Sequence, residues 1–189
     1  MHTTDLRVAT DLTVGSNVDL KGSATLKGHR TAVSSITADT TMSVADSGGV
    51  FQINAAGAVV ITLPEITADN LGLNYKFYIG AITTDASQIK TATNSDTTGD
   101  VFSGSLLNIT NAANGPASNA VMAVVPGADD GVINLDEDLA NAVVQVGSYI
   151  ECTAFSFSSA GHSVWLVNGY IINDTAASSG AGIFSDSDA

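Results

Sequence analysis

Val164-Trp165-Leu166-Val167-Asn168-Gly169-Tyr170-Ile171-Ile172 carries bulky apolar side chains at both odd and even positions. Successive side chains of an extended strand point to opposite faces, so a run that is apolar on both reads as a central strand of a sheet. Upstream, the turn-forming Ser158-Ser159-Ala160-Gly161 separates it from a second strand, Tyr149–Phe157. The same alternation continues back through the chain and predicts strands at Val50–Asn54, Val59–Leu63, Tyr75–Ile79, Gln88–Thr93, Asn119–Val125, Val132–Leu135 and Ala142–Val146. Turn clusters such as Asn54-Ala55-Ala56-Gly57 and Pro126-Gly127-Ala128-Asp129-Asp130-Gly131 bound them. Many short strands at such spacing predict an all-β fold with a compact β-sandwich or barrel-like body. Helical pattern is confined to Pro64–Leu71 and Asp136–Ala142, each too short to carry an α/β fold.

Composition agrees. Hydrophobic residues make up 44% of the 189 and charged residues 13%, so Ser, Thr, Asn, Gly and Ala supply the turns and most of the surface. Those residues are poor in helix interiors and common in turns. The length suits one domain of ordinary size with appendages. The single cysteine, Cys152, excludes an internal disulfide and a multi-cysteine zinc cluster. Sharing a strand face with Ile150 and Ala154, it reads as a buried, inert thiol.

A different pattern occupies residues 12–28, where a six-residue unit repeats three times: Leu12-x-Val14-x-Ser16, Val18-x-Leu20-x-Gly22 and Ala24-x-Leu26-x-Gly28. Alternation marks strands with one apolar face, and three short units cannot bury that face by themselves. Two readings satisfy it. An extended N-terminal β-repeat arm hides its apolar face against copies of the same chain, and threefold winding suits strands that turn every six residues. An ordinary meander hairpin hides it within one chain. Residues 1–45 are read as arm and connector, 46–173 as the body, and 174–189 as an acidic Ser/Gly/Ala tail that composition would leave disordered.

The net charge of −13 is unevenly placed. Residues 1–45 hold four basic and four acidic side chains, whereas 46–189 hold two basic and fifteen acidic ones. A near-neutral arm whose cations include Lys21, Lys27 and Arg30 can lie against another protein, while an acidic body repels nucleic acid, so no nucleic-acid partner is expected. The opening residues lack a basic stretch followed by an apolar run, and no segment approaches about 18 uninterrupted apolar residues. Neither secretion by a standard signal nor a membrane partner is expected. With no secretory route expected, the sequons Asn108-Ile109-Thr110 and Asn173-Asp174-Thr175 are not expected to be modified.

Few titratable groups are available for catalysis. His2 and His29 belong to the arm, and His162 is adjacent to Ser163, where neighbouring strand residues face opposite ways and cannot pair as nucleophile and base. Asp129-Asp130-Gly131 and Asp136-Glu137-Asp138 are oxygen-rich, but their spacing departs from the alternate-ligand calcium loop, and solvated surface acids are the favoured reading. Ser178-Ser179-Gly180-Ala181-Gly182 has no helix after it to hold a phosphate. No catalytic residue, cofactor site, metal site or small-molecule substrate is assigned.

Val50-Phe51-Gln52-Ile53-Asn54, Ile61-Thr62-Leu63-Pro64-Glu65 and Gly72-Leu73-Asn74-Tyr75-Lys76-Phe77-Tyr78-Ile79-Gly80 together resemble a module of bacteriophage virion proteins. In that module a strand ending in Thr-Leu-Pro leads through a short excursion into a Gly-Leu-x-Tyr/Phe strand, followed here by Ile89 and a glycine-containing turn, Phe102-Ser103-Gly104. The opening Asp11-Leu12-Thr13-Val14-Gly15-Ser16-Asn17 is similar to repeat openings of phage fibre and head-decoration chains. The resemblance implies a virion structural protein that is not an enzyme: a homotrimeric decoration, or cement, protein seated on the capsid surface, with the major capsid protein as partner. Leu12, Val14, Val18, Leu20 and Leu26 would then be buried between subunits, and Lys21, Lys27 and Arg30 would face the coat. The alternative is a tail fibre or spike module that binds a host receptor, for which exposed aromatic residues near a loop apex are expected. A third, a hydrolase of surface polysaccharide, needs paired carboxylates in a groove.

Overall fold

A computed structural model describes residues 32–55, 57–81, 87–93, 98–110, 120–135, 144–173 and 183–186. They fall within one unit of the chain, Thr31–Ala189. The unit is all-β, built of two mixed sheets packed together, as in a sandwich.

The first half of the unit alternates strictly between the sheets. Strands β1 (Val33–Ile36), β3 (Val50–Ile53) and β5 (Asn74–Ile79) run parallel in the first sheet. Between them in sequence, β2 (Thr40–Thr41), β4 (Val60–Thr62) and β6 (Gln88–Lys90) run parallel in the second. The chain therefore winds through three stacked coils, each giving one strand to each sheet. Coils of this kind use one another as their hydrophobic cover. Ile36, Ile53 and Ile79 lie in register across the first sheet and are all buried. Ile61 and Ile89 do the same across the second. Corner backbone bonds tie successive coils: Asn54 N–H donates to Ile36 O and Gly80 N–H to Ile53 O, while Met42 N–H donates to Thr62 O and Leu63 N–H to Lys90 O, all at 2.8 Å. The Thr62-Leu63-Pro64 segment is such a corner, with Leu63 buried.

The second half completes both sheets around these coils. Strands β7 (Gly99–Thr110), β8 (Ala120–Val124), β10 (Tyr149–Ser156) and β11 (His162–Asn173) extend the first sheet to the order β1-β3-β5-β10-β11-β7-β8. Strands β9 (Val132–Asn134) and β12 (Phe184–Ser185) extend the second to β12-β9-β6-β4-β2. As its two-sided apolarity predicts, β11 lies inside the sheet, antiparallel to β10 and parallel to β7. Trp165, Val167 and Ile171 point into the core, with Trp165 packed on Tyr75 at 5.8 Å between ring centroids. Across the interior, Phe102 of the first sheet meets Phe184 of the second at 6.4 Å.

The structure corrects several expectations. Residues 33–41, read as connector, form β1 and β2; only Ile36 of β1 faces the core, so the segment shows no alternation to read. Phe102-Ser103-Gly104, read as a turn, lies inside the twelve-residue β7, where Gly104 takes φ 108° without leaving the ladder. Pro64–Leu71 is not helical, because Asn70 supplies the bonds a helix would make: Thr67 N–H donates to its Oδ1 at 2.8 Å and its Nδ2 donates to Glu65 O at 2.8 Å. Within Ala142–Val146, the described residues make a single bridge, Val144 to Asn173, and turn at once into β10. Within the tail, Phe184–Ser185 pairs with β9 because Ile183 and Phe184 are the tail's large apolar side chains and both are buried. The helical element among the described residues is one 3-10 turn, Val44–Asp46, where Ser43 N–H and Oγ–H both donate to Asp46 Oδ2 and hold that carboxyl below its usual pKa. Asp136–Ala142 lies outside the described residues.

Candidate functional site

Leu12, Val14, Val18, Leu20, Leu26, Lys21, Lys27 and Arg30 lie outside the described residues. Within them, two surfaces stand out: an apolar band on the first sheet and a polar cleft at one end of the strands.

The band begins at β8. This edge strand is Ala120-Val121-Met122-Ala123-Val124, followed by Val125, with no charged residue among them. Val121 and Val125 are each 67% exposed, and Met122 is also open to solvent. Edge strands usually carry a charge, a proline or a bulge that blocks pairing with another chain; here Pro126 comes only after the strand ends. The outer face of the same sheet continues the band. Leu107 on β7, Leu166 on β11 and Phe155 on β10 are exposed. Tyr78, Tyr149 and Tyr170 stand side by side on three neighbouring strands, with centroid separations of 4.8 Å and 6.1 Å. Beside this row, Glu151 accepts hydrogen bonds from Tyr149 Oη and Asn74 Nδ2, both at 2.7 Å, with Lys76 Nζ 3.9 Å away. Partial burial opposes the charge on Glu151, but these donors outweigh it and hold its pKa below the usual range, while burial and Glu151 together raise that of Tyr149. Tyr149, the middle ring of the row, is thus held by its hydroxyl.

The cleft has a volume of about 590 Å³. It lies where β7 and β11 begin, with the loop after β4 and the end of β6 on its other side. Asp100 is a wall residue and only 1% exposed. Its Oδ2 accepts the Ile66 N–H at 3.0 Å. The indole N–H of Trp165 makes no hydrogen bond of ordinary geometry, and its dipole acts on the Asp100 carboxylate. Burial, opposed by the Ile66 bond and reinforced by Glu65, pushes the Asp100 carboxyl up to about 6. Thr91, Thr93, Ser158, Ser159 and Ser163 place hydroxyls around the same space.

A native pKa above the unfolded value means that the folded chain holds the Asp100 proton more tightly. Its contribution to stability is fully present below pH 3.8 and is lost as pH rises through about 6. Asp100→Asn removes the buried charge and keeps an oxygen for the Ile66 N–H. This variant is expected to be more stable than the parent at pH 7.5 by about 2 kcal/mol, and to lose the fall in stability between pH 4 and 6, measured by urea titration across pH.

The remaining sequence motifs resolve as structural parts. His162 Nε2 is 3.3 Å from Asp129 Oδ1, while the buried Ser163 accepts the Ser158 N–H at 3.1 Å, so the two neighbours face different partners as expected. Asp130 Oδ2 closes its turn by accepting the Gly127 N–H at 2.6 Å. Cys152 is fully buried, and burial raises its thiol pKa, in keeping with an inert role. Asn108 and Asn173, the two sequon asparagines, are buried and bonded to one another through Nδ2 of Asn173 and Oδ1 of Asn108. Among the described residues no cluster of His, Cys, Asp and Glu could hold a metal ion, and no helix is long and apolar enough to cross a membrane.

Sequence reasoning missed both surfaces. The six apolar residues from Ala120 to Val125 were legible as a strand, but not as an edge. Asp100 gave no signal, because its partners come from residues 34 positions upstream and 65 downstream. No family model, curated protein or solved structure matches this chain.

Proposed function

We propose that this chain is a non-enzymatic decoration protein of a bacteriophage head, which binds the capsid surface as a trimer through its N-terminal arm and stabilises the shell. The observation that supports this most is the uncharged edge strand β8, left apolar and open beside a core that is already filled. A contiguous apolar surface on a well-packed domain marks a place that another chain covers. The arm repeat adds a second such surface in the sequence, and the charge division gives it cations while the body stays acidic. Three weak docking contacts joined in one trimer multiply in effect, so no single contact has to be strong.

Particle binding tests the proposal. Full-length chain is expected to sediment as a trimer and to label capsids in electron micrographs, and removal of residues 1–30 to abolish labelling. A monomer that leaves capsids and tails bare overturns it; label confined to tail fibres overturns the head assignment in favour of the fibre module. Val121→Lys with Met122→Lys places two charges on the open edge. The double variant is expected to keep its melting temperature within about 2 °C, since exposed substitutions change stability little, while its association weakens at least tenfold, read by analytical ultracentrifugation.

A further inference from the structure

The cleft beside Asp100 belongs to neither the arm nor the β8 edge, and we propose that it is a binding site for a neutral saccharide. Its size falls within the range of about 300–1,000 Å³ typical of small-molecule sites. Its lining narrows the ligand class. Hydroxyls from Thr91, Thr93, Ser158, Ser159 and Ser163 ring the space, and each can donate and accept. That surface suits a polyol better than an apolar ligand: Thr91, Ser158 and Ser163 each already make one hydrogen bond within the protein and keep capacity for a second.

Charge excludes anions. Glu65 and Asp100 line the cleft with one cation, Lys90, so a phosphate or a carboxylate would meet a net negative wall. A carboxylate that is fixed and nearly buried is, by contrast, a strong acceptor for sugar hydroxyls, because charge-assisted bonds are roughly twice as strong as neutral ones. Asp100 has that capacity. The Ile66 N–H uses one of its acceptor positions, and the side chain is held at 1% exposure in the cleft wall. Burying such a charge disfavours folding, and groups carried at that cost concentrate at functional sites.

The last feature is Phe157. It follows β10 on the rim of the cleft and is 42% exposed. An aromatic face beside fixed hydroxyl acceptors offers the C–H face of a pyranose ring a platform, while the hydroxyl edge turns toward Asp100 and the serines.

The chain has one tryptophan, Trp165, whose indole lies against Asp100, so its fluorescence reports on the cleft. Full-length protein would be titrated with a panel of neutral mono- and disaccharides, and with a sugar phosphate as charge control. At least one neutral sugar is expected to shift the emission saturably, with a Kd below about 1 mM. Phe157→Ala should weaken that binding tenfold or more without lowering the melting temperature. Asp100→Asn should also weaken it at least tenfold, although the fold becomes no less stable. No saturable response to any neutral sugar up to about 10 mM overturns the proposal, as does tighter binding of the sugar phosphate or full affinity in both variants. Capsid labelling by the same two variants is expected to be unchanged, which separates this result from the fate of the decoration reading.

Discussion

Gly104→Ala is expected to lower the stability of the fold by about 4 kcal/mol and its melting temperature by roughly 10 °C. Gly104 lies in the middle of β7 at φ 108°, a backbone conformation that side-chain-bearing residues rarely adopt. A Cβ there would overlap the Val167 carbonyl oxygen of the paired strand β11 and press Leu166 Cδ1 at 3.2 Å. Two costs add. Left-handed strain contributes about 1–3 kcal/mol, and forcing a Cβ against the backbone of the paired strand contributes a similar amount. Backbone is the obstacle, so no rotamer change relieves it. Thermal unfolding followed by far-ultraviolet circular dichroism measures the loss; a drop of less than about 3 °C would mean that β7 and β11 can separate locally, contrary to their continuous register.

Trp165→Ala is expected to cost a comparable amount, about 3–5 kcal/mol, the range for removing a large buried aromatic. Trp165 is fully buried and packs its ring on Tyr75, which in turn meets Phe51 at 6.4 Å. Tyr75 is fixed at its far end, where its hydroxyl donates to Ser43 O at 2.8 Å, and burial pushes its pKa up to about 12. The ring therefore cannot slide into the space an alanine leaves. Trp165→Phe, which fills most of that space, should cost clearly less. Denaturant midpoints by circular dichroism distinguish the two, and equal losses would show that the indole N–H rather than ring volume is what matters.

What the sequence made legible follows from where each strand buries its side chains. Tyr149–Ser156 alternates between buried and open positions, and His162–Asn173 is apolar on both faces, so their patterns pointed to strands and to a central place. β1 was hidden because Val33, Ser34 and Ser35 are exposed at a sheet margin, leaving Ile36 alone to signal burial. β7 was hidden for another reason. Ser103-Gly104-Ser105 imitates a turn, and the strand buries polar Asp100, Asn108 and Thr110, which hydrophobic patterning discounts. Parallel pairing between alternating sheets is a long-range property that local periodicity does not encode. The cleft has the same difficulty: Glu65, Lys90, Asp100 and Phe157 meet only after the coils have stacked.

The order in which strands become available has a consequence for synthesis. β5, at residues 74–79, needs β10 at 149–156 as its second neighbour, and β7, at 99–110, needs β11 at 162–173. A chain emerging from the ribosome has its N-terminal coils before either long partner exists, and pairings across such separations form slowly. Until β11 has emerged, the interior has no Trp165 to close around, and Tyr75 has Phe51 beside it but not its second ring partner. Closure of the larger sheet is thus deferred until β11 has been made, and a product terminated before it lacks the centre of that sheet.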